Sequence, residues 1–402
     1  MNFLFLLKYT NLLAGTPTLA ARMSRWLVSN GHSVTVLGNR MDESCIDLFD
    51  RRVDIINHDH GEYELGCIRK ANNILSEFNI LRPDVIKSFD PISWWEASVV
   101  SQCFSPPSKV IAGVYLPKPV SVTSKFFRNT RLKIVLRQFE RHMGRDNRLF
   151  ISDQQLENYR LVKYSFMNGH IWPLAIDVER FVNVDRQPRK GAIVSIGRIS
   201  SMKEYNFYMV DVVEQLLRDG YDLTWDVYGD GVDKERLAQL IKDRNLQDHI
   251  HLHGRLPYTQ FENALKNAYF FVGMGTAALE AAACGVPTIV AIESDKTGMT
   301  YGRISQLPFG NIGDRMRQPP NLFVKDEIRA ILECSPEQYS QEAEHDRTYV
   351  KQYSMEQRMR HFMEIVERAR PFSPDKFFMA AYSAHLKVEK FRVCLSRKNG
   401  AI

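Results

Sequence analysis

GMGTAALEAAACGVPTIVA, residues 273–291, decides the fold of this chain. It follows the apolar run Tyr269-Phe270-Phe271-Val272 and passes through two glycines into the helix formers Ala277-Ala278-Leu279-Glu280-Ala281-Ala282-Ala283. Cys284-Gly285 closes that helix, and Pro287-Thr288-Ile289-Val290-Ala291 reads as the next strand. Strand, glycine turn, helix and strand make one βαβ unit, whose two strands run parallel. Backbone N–H groups and the positive end of the helix dipole collect at the turn, which makes it a ready phosphate site. Glycine lets a ligand approach the backbone closely there.

Outward from this unit, strand and helix signals alternate almost throughout, which predicts an α/β protein with parallel sheets. In the same half, strands are expected at 192–196, 223–228, 250–252 and 269–272, so the glycine turn follows the fourth strand of its series. The first half opens with a strand (2–7), a loop with Gly15, a helix (19–29), a stop at Gly31 and a strand (33–37). Segments 53–56, 85–86 and 110–114 continue that series. Asp185-Arg186-Gln187-Pro188-Arg189-Lys190-Gly191 is polar and holds proline and glycine, the composition of an interdomain linker. Domains are therefore expected at 1–184 and 185–354, the first completed by a helix at about 355–370. Residues 371–402 begin Pro-Phe-Ser-Pro and end basic, a tail without an assigned fold.

The 402 residues suit two or three domains, and 44% apolar with 25% charged residues is the balance of a chain with sizeable cores. A formal charge of +6 fits an anionic ligand or membrane surface, but lacks the concentrated basicity of a nucleic-acid binder. The six cysteines are scattered without a C-x-x-C pair, which argues against a disulfide framework and for a reducing cytosol. Phe3-Leu4-Phe5-Leu6-Leu7, cut by Lys8, is too short for a secretory segment and suits a buried strand. No apolar stretch approaches the roughly 18 residues of a membrane span. A cytoplasmic protein is expected, peripheral to the inner face of a membrane at most.

Two ligands suit the glycine turn. Gly273-x-Gly275-x-x-Ala278 satisfies the dinucleotide fingerprint, with Glu293 twenty residues on as a ribose-binding acid. That fingerprint belongs to a first βα turn, however, and this turn is the fourth. The other ligand is a nucleotide sugar, with Glu280 about one turn into the helix and within reach of ribose hydroxyls. A capping box does not explain Glu280, because it needs the acid three residues after the cap, and Thr276 to Glu280 is four. An early acid also favours the helix dipole slightly.

Other residues converge on the same sheet edge. Gly197-Arg198 leaves a strand and Lys203 follows five residues later, so two cations can clamp a diphosphate and neutralise charge on a leaving group. Either cation alone reads as a solvated loop charge. Val227-Tyr228-Gly229-Asp230-Gly231 and His253-Gly254-Arg255-Leu256-Pro257 end two further strands. Four loops thus meet at the carboxyl ends of parallel strands, where open α/β sheets bind ligands.

In these residues the chain resembles the retaining GT-B glycosyltransferases of family 4 (group 1). Residues 191–295 resemble their donor-binding domain through Gly197-Arg198 with Lys203, Tyr228-Gly229-Asp230-Gly231, His253-Gly254-Arg255-Leu256 and Leu279-Glu280-Ala281 with Cys284-Gly285-Val286-Pro287. The likeness extends more weakly over 1–370. Gly15 with Leu19-Ala20 and Gly31-His32-Ser33-Val34 resembles the opening loop and helix, 171–181 the interdomain segment, and 357–370 the last helix, which crosses back.

The resemblance implies two facing Rossmann-like domains with a deep cleft. It implies that Arg198 and Lys203 hold the donor diphosphate and Glu280 the ribose. Gly229, Gly275, Thr276 and Ala277 would lie along the donor, Gly254, Arg255 and Leu256 beside the base, and Gly15 across the cleft. No metal is expected, because basic side chains and a helix terminus stabilise the charge, and no cofactor beyond the nucleotide-diphosphate sugar. Two positions depart from the family. The acid it commonly carries eight residues before Glu280 is Val272 here, and a histidine ending a first-domain strand is replaced at Val114-Tyr115, which makes Tyr115 the candidate on the acceptor side.

His249-x-His251-x-His253 places three imidazoles on one strand face, and without an acid to join them the segment reads as an ordinary strand rather than a metal site. His58-Asp59-His60 is expected on the surface. Residues 125–148 carry eight Lys and Arg, with Leu132, Val135, Leu136, Phe139 and Met143 at helical spacing. That basic helix serves either as a core-facing helix or as a dock on an anionic membrane, where a lipid-linked acceptor lies. The expected function is a retaining glycosyltransferase moving a sugar to a glycan or lipid-linked acceptor in surface-polysaccharide synthesis. The rivals are a nucleotide-sugar epimerase, an NAD(P)-dependent oxidoreductase using the 273–278 turn, and a non-catalytic scaffold.

Overall fold

The structure is a computed structural model that describes residues 1–7, 15–60, 64–89, 91–115, 143–160, 168–181 and 184–371. The chain divides into two units: Met1–Pro173 joined by the residues from Met359 on, and Leu174–Arg358. The first runs β1 (Asn2–Leu7), α1 (Gly15–Ser29), β2 (Ser33–Gly38), α2 (Glu43–Ile46), β3 (Asp54–Asn57), α3 (Ile68–Glu77), β4 (Val85–Ser88), α4 (Pro91–Ser101), β5 (Lys109–Val114), β6 (Arg148–Phe150), α5 (Asp153–Arg160) and β7 (His170–Ile171). Its sheet has the order β3-β2-β1-β4-β5-β6-β7, with every pairing parallel. Five of the six residues of β1 are buried, because a parallel strand covered on both faces needs apolar side chains at successive positions. In α3 the buried residues Ala71, Ile74 and Leu75 form the single stripe of a helix packed on a sheet.

The second unit runs α6 (Val178–Phe181), β8 (Ala192–Ile196), α7 (Tyr205–Arg218), β9 (Thr224–Tyr228), α8 (Lys234–Asp243), β10 (Ile250–Gly254), α9 (Phe261–Leu265), β11 (Phe270–Gly273), α10 (Thr276–Ala283), β12 (Thr288–Ala291), β13 (Met299–Arg303), β14 (Leu322–Phe323), α11 (Val324–Glu333) and α12 (Pro336–Val350). Its order, β10-β9-β8-β11-β12-β13-β14, repeats the pattern of the first sheet. The parallel expectation holds from β10 to β12, whereas β13 is antiparallel to both β12 and β14. Only 292–298 separates β12 from β13, too short for the crossover that a parallel return needs. Apolar clusters cover both faces of the sheet, one holding Trp225, Phe270 and Val272, the other Phe271, Ala281 and Val290.

The next helix, α13 (Met355–Arg368), carries the chain back into the first unit. There Phe362 meets the rings of Phe3 at 6.3 Å and Trp172 at 6.0 Å. Lys109 Nζ donates to the carbonyls of Val366 at 2.8 Å and Glu367 at 3.0 Å, and Asn147 Nδ2 to that of Arg370 at 2.8 Å.

Three expectations are corrected. The polar segment 185–191 lies inside the second unit, tied down by Arg186 donating to the carbonyls of Gly285 and Ala268 and by Gln187 N–H to Lys266 O at 2.9 Å. The division falls after Pro173 instead. Of the basic helix, 125–142 lies outside the described residues, while 145–147 is a 3-10 turn and Arg148 opens β6, buried, with its guanidinium on the carbonyls of Met143 and Asn168. His60 is buried, with the His58 ring stacked on it at 5.8 Å and Phe78 against His58 at 5.0 Å. The tail from residue 372 on is outside the described residues. Among the described residues, no helix is long and apolar enough to cross a membrane.

Candidate functional site

In the second unit, β8 and β11 are neighbours, but β8 leads on to β9 at one side and β11 to β12 at the other. The loops leaving their carboxyl ends therefore diverge, and an open α/β sheet has its ligand crevice at that point. Ser195 ties the pair together below it: its hydroxyl donates to Val272 O at 2.6 Å and accepts from Trp225 Nε1 at 3.0 Å.

Backbone hydrogen bonds stitch three of the expected loops into one rim. Gly197 N–H donates to Tyr228 O at 2.9 Å, Gly229 N–H to Gly254 O at 2.7 Å and Ile199 N–H to Asp230 O at 2.9 Å. Gly229 has to be glycine, because a Cβ there would overlap the Gly197 carbonyl. Arg198 is exposed on the rim. Lys203 is half-buried as a residue, yet its ammonium lies deep, 2.5 Å from where a Cβ on Gly197 would stand. That burial, helped by the neighbouring Arg198 cation, pushes the Lys203 ammonium down to about 8. The hydroxyl of Tyr205 lies 3.1 Å from the same point and, among the described residues, has no hydrogen-bond partner.

The glycine turn itself is short. β11 ends at Gly273 and α10 starts at Thr276, which leaves only Met274 and Gly275 between them. Gly275, not Thr276, is the N-cap, at φ +78° and ψ −157°, with its N–H on Ile312 O at 2.7 Å. Thr276 and Ala277 open the helix half-exposed, where first-turn N–H groups have no intrahelical acceptor. Val272 is fully buried within the strand, in the apolar cluster with Trp225 and Phe270.

Glu280 is 3% exposed, and its Oε1 accepts from the Tyr258 hydroxyl at 2.9 Å. Tyr258 is clamped in turn. Arg180 lies over its ring at 4.2 Å, donates to its carbonyl at 2.8 Å and pairs with Glu262 at 2.5 and 2.9 Å. Tyr258 and Arg180 escape a sequence reading because each acts through a neighbour remote in the chain. Arg255 is exposed and Leu256 half-buried against the apolar cluster under the loop.

Two candidates lie in the first unit. Gly15 starts α1. Tyr115 follows β5, with its ring 5.0 Å from the Nζ of Lys87 and a buried hydroxyl that has no partner among the described residues. Burial pushes that hydroxyl up. Lys87, fully buried and also 4.3 Å from the Phe89 ring, is a cation that the apolar strand pattern concealed. Among the three imidazoles, His251 and His253 do share a face, whereas His249 turns Nδ1 to Leu223 O at 3.0 Å; contrary to expectation, an acid, Asp226, stands between the first two.

Residues 179–295 match the model of the glycosyl transferases group 1 family. The poly(glycerol-phosphate) alpha-glucosyltransferase of Bacillus subtilis (strain 168) is 27% identical over 158 residues, 38% of this chain and 23% of that protein. The chain thus spans about a quarter of the curated relative it matches. A variant of S. aureus TarM, solved with fondaparinux, alpha-GlcNAc-glycerol and UDP, superposes with a TM-score of 0.67 at 10% identity, over 91% of this chain and 99% of that one. Anabaena HepE, solved with UDP and glucose, gives 0.65 at 10% identity over 92% and 100%. At those identities the likeness is one of fold. The protein has the two Rossmann-like α/β units of the GT-B fold, and within the second of them residues 179–295 match the group 1 glycosyl transferases.

Proposed function

We propose that the protein is a retaining glycosyltransferase of family 4, a hexosyltransferase that moves a sugar from a nucleotide-diphosphate donor to a glycan or lipid-linked acceptor in the synthesis of a surface polymer. One observation supports this reading: the loop with Gly197, Arg198 and Lys203 follows β8, and the α10 terminus with Glu280 follows the neighbouring β11, at the point where the connections of the two strands diverge and inside the family-matched segment. In the transfer, the bond from the anomeric carbon to the diphosphate oxygen breaks and one to the acceptor oxygen forms on the same face. The acceptor's proton ends on the diphosphate or in solvent. Arg198, Lys203 and the first N–H groups of α10 neutralise the charge that builds on the leaving diphosphate. Glu280 holds the ribose. No metal is assigned to this step, since cations and a helix dipole stand where the charge develops. UDP, present in the TarM and HepE complexes, is the first nucleotide to try.

A thermal-shift panel of UDP, GDP, ADP and NAD(P)H tests the reading on wild type, Glu280→Ala and Arg198→Ala. One nucleoside diphosphate should stabilise wild type, by about 2.7 kcal/mol at a hundredfold excess over Kd, and both variants should lose the effect. A response to NAD(P)H alone would make 273–278 a dinucleotide turn instead. Donor turnover without any acceptor would make the protein an epimerase.

A further inference from the structure

β10 and β9 are parallel neighbours at the edge of the second sheet, with His251 in register opposite Asp226. Side chains two apart on a strand share a face, so His251 and His253 both lean over the same carboxylate. Asp226 Oδ1 lies 3.3 Å from His251 Nδ1 and 2.6 Å from His253 Nε2, and one ligand atom from each of the three residues falls within 4.8 Å of the others. Tyr228 stacks on the His253 ring at 4.4 Å and 13°, which fixes its plane. The side chains are 42%, 39% and 27% exposed for His251, His253 and Asp226, open enough for an ion to enter with a water.

We propose that His251, His253 and Asp226 form a binding site for a divalent transition-metal ion of the zinc class, separate from the sugar-transfer residues. Two imidazoles and one carboxylate suit zinc and offer too few oxygens for calcium or magnesium. Ligand atoms around a tetrahedral zinc stand about 3.3 Å apart, given bonds of about 2.0–2.1 Å. The His251–Asp226 pair already has that spacing, the His253–Asp226 pair reaches it by opening less than about 1 Å, and the two imidazole nitrogens, within 4.8 Å of each other, reach it by closing at most about 1.5 Å. All three ligands sit on strands, with a shift of register between Leu252 and Gly254 at His253, the ligand that Tyr228 holds by stacking. The ion ties β9 to β10 just ahead of Gly254, whose carbonyl accepts the Gly229 N–H at 2.7 Å. It therefore braces the sheet edge that bears two of the site's loops and takes no part in the transfer.

The test uses the full chain without a histidine tag, stripped with chelator and titrated by calorimetry with ZnCl2, and separately with MgCl2 and CaCl2. One zinc per chain with micromolar affinity is expected, with no response to magnesium or calcium. The double variant His251→Ala/His253→Ala should weaken zinc by at least about a hundredfold and Asp226→Asn by about tenfold, while His249→Ala changes nothing. Zinc affinity unchanged in the double variant, or no zinc bound by wild type, overturns the site and leaves a hydrogen-bonded cluster. Should the double variant fail to fold, wild type with CoCl2 decides. An intense visible band of four-coordinate cobalt supports the site, and its absence overturns it. UDP stabilisation, read on metal-free wild type, tests the donor site apart from the metal site.

Discussion

Glu280 is held by a residue twenty-two positions upstream, the tyrosine whose hydroxyl reaches its carboxylate. A carboxylate 3% exposed has lost its water partners, and Tyr258 supplies a donor in their place from a ring that Arg180 covers. Tyr258→Phe keeps the ring and removes only the donor. It should weaken UDP binding up to about tenfold, about 1.4 kcal/mol, while leaving 2′,3′-dideoxy-UDP unaffected, because the role proposed for Glu280 is to hold the ribose hydroxyls. Equal losses for both nucleotides in calorimetry would separate Tyr258 from Glu280. Lys203 gives the same site a pH dependence. Its ammonium, held at about 8 by burial and by Arg198, is charged below that pH and neutral above it. A diphosphate needs the charged form, so UDP affinity should be flat up to about pH 7.5 and decline as the pH rises through 8, by up to tenfold per unit at the limit. Lys203→Arg, whose cation does not titrate in this range, should flatten that decline in the same titration.

The turn from β11 to α10 was legible because each of its parts leaves a local mark: an apolar run, a glycine at φ +78°, an alanine-rich helix and a glycine stop. The parallel strands were legible for the same reason, since burial on both faces demands continuous apolar runs such as β1 and β8. Elements with little burial of their own were not. β7 and β14 are two residues each, and neither shows a period. β13 alternates buried and half-buried residues around Gly302, so its antiparallel return has no continuous apolar run to announce it. Segment 185–191 has a linker's composition, yet Arg186 pins it to the carbonyls of Gly285 and Ala268, bonds that composition does not encode. The candidate site divides along the same line. Gly197, Gly229, Gly254 and Gly275 sit at strand ends and could be read in order. Tyr258 over Glu280 and Asp226 between two histidines depend on pairing across elements, which a single sequence does not display.

Helix α13 completes the first unit from beyond the second. Phe362 is fully buried between Phe3 of β1 and Trp172, and the carbonyls that end α13 receive the ammonium of Lys109. Residues more than three hundred positions apart thus share one core, although the whole second unit is threaded between them. Phe362→Ala removes a buried ring from a close-packed site, which costs about 3–5 kcal/mol where neighbours relax little. The loss should register where the contacts are. In native-state amide exchange, β1 (2–7) and β7 (170–171) should open faster in the variant, while β8 (192–196) and β11 (270–273) keep their protection. Since Arg198, Lys203, Tyr258 and Glu280 all lie in Leu174–Arg358, their hydrogen bonds should survive the same substitution. An equal loss of protection in both sheets would mean that the two units open together, and that α13 sustains both of them rather than one.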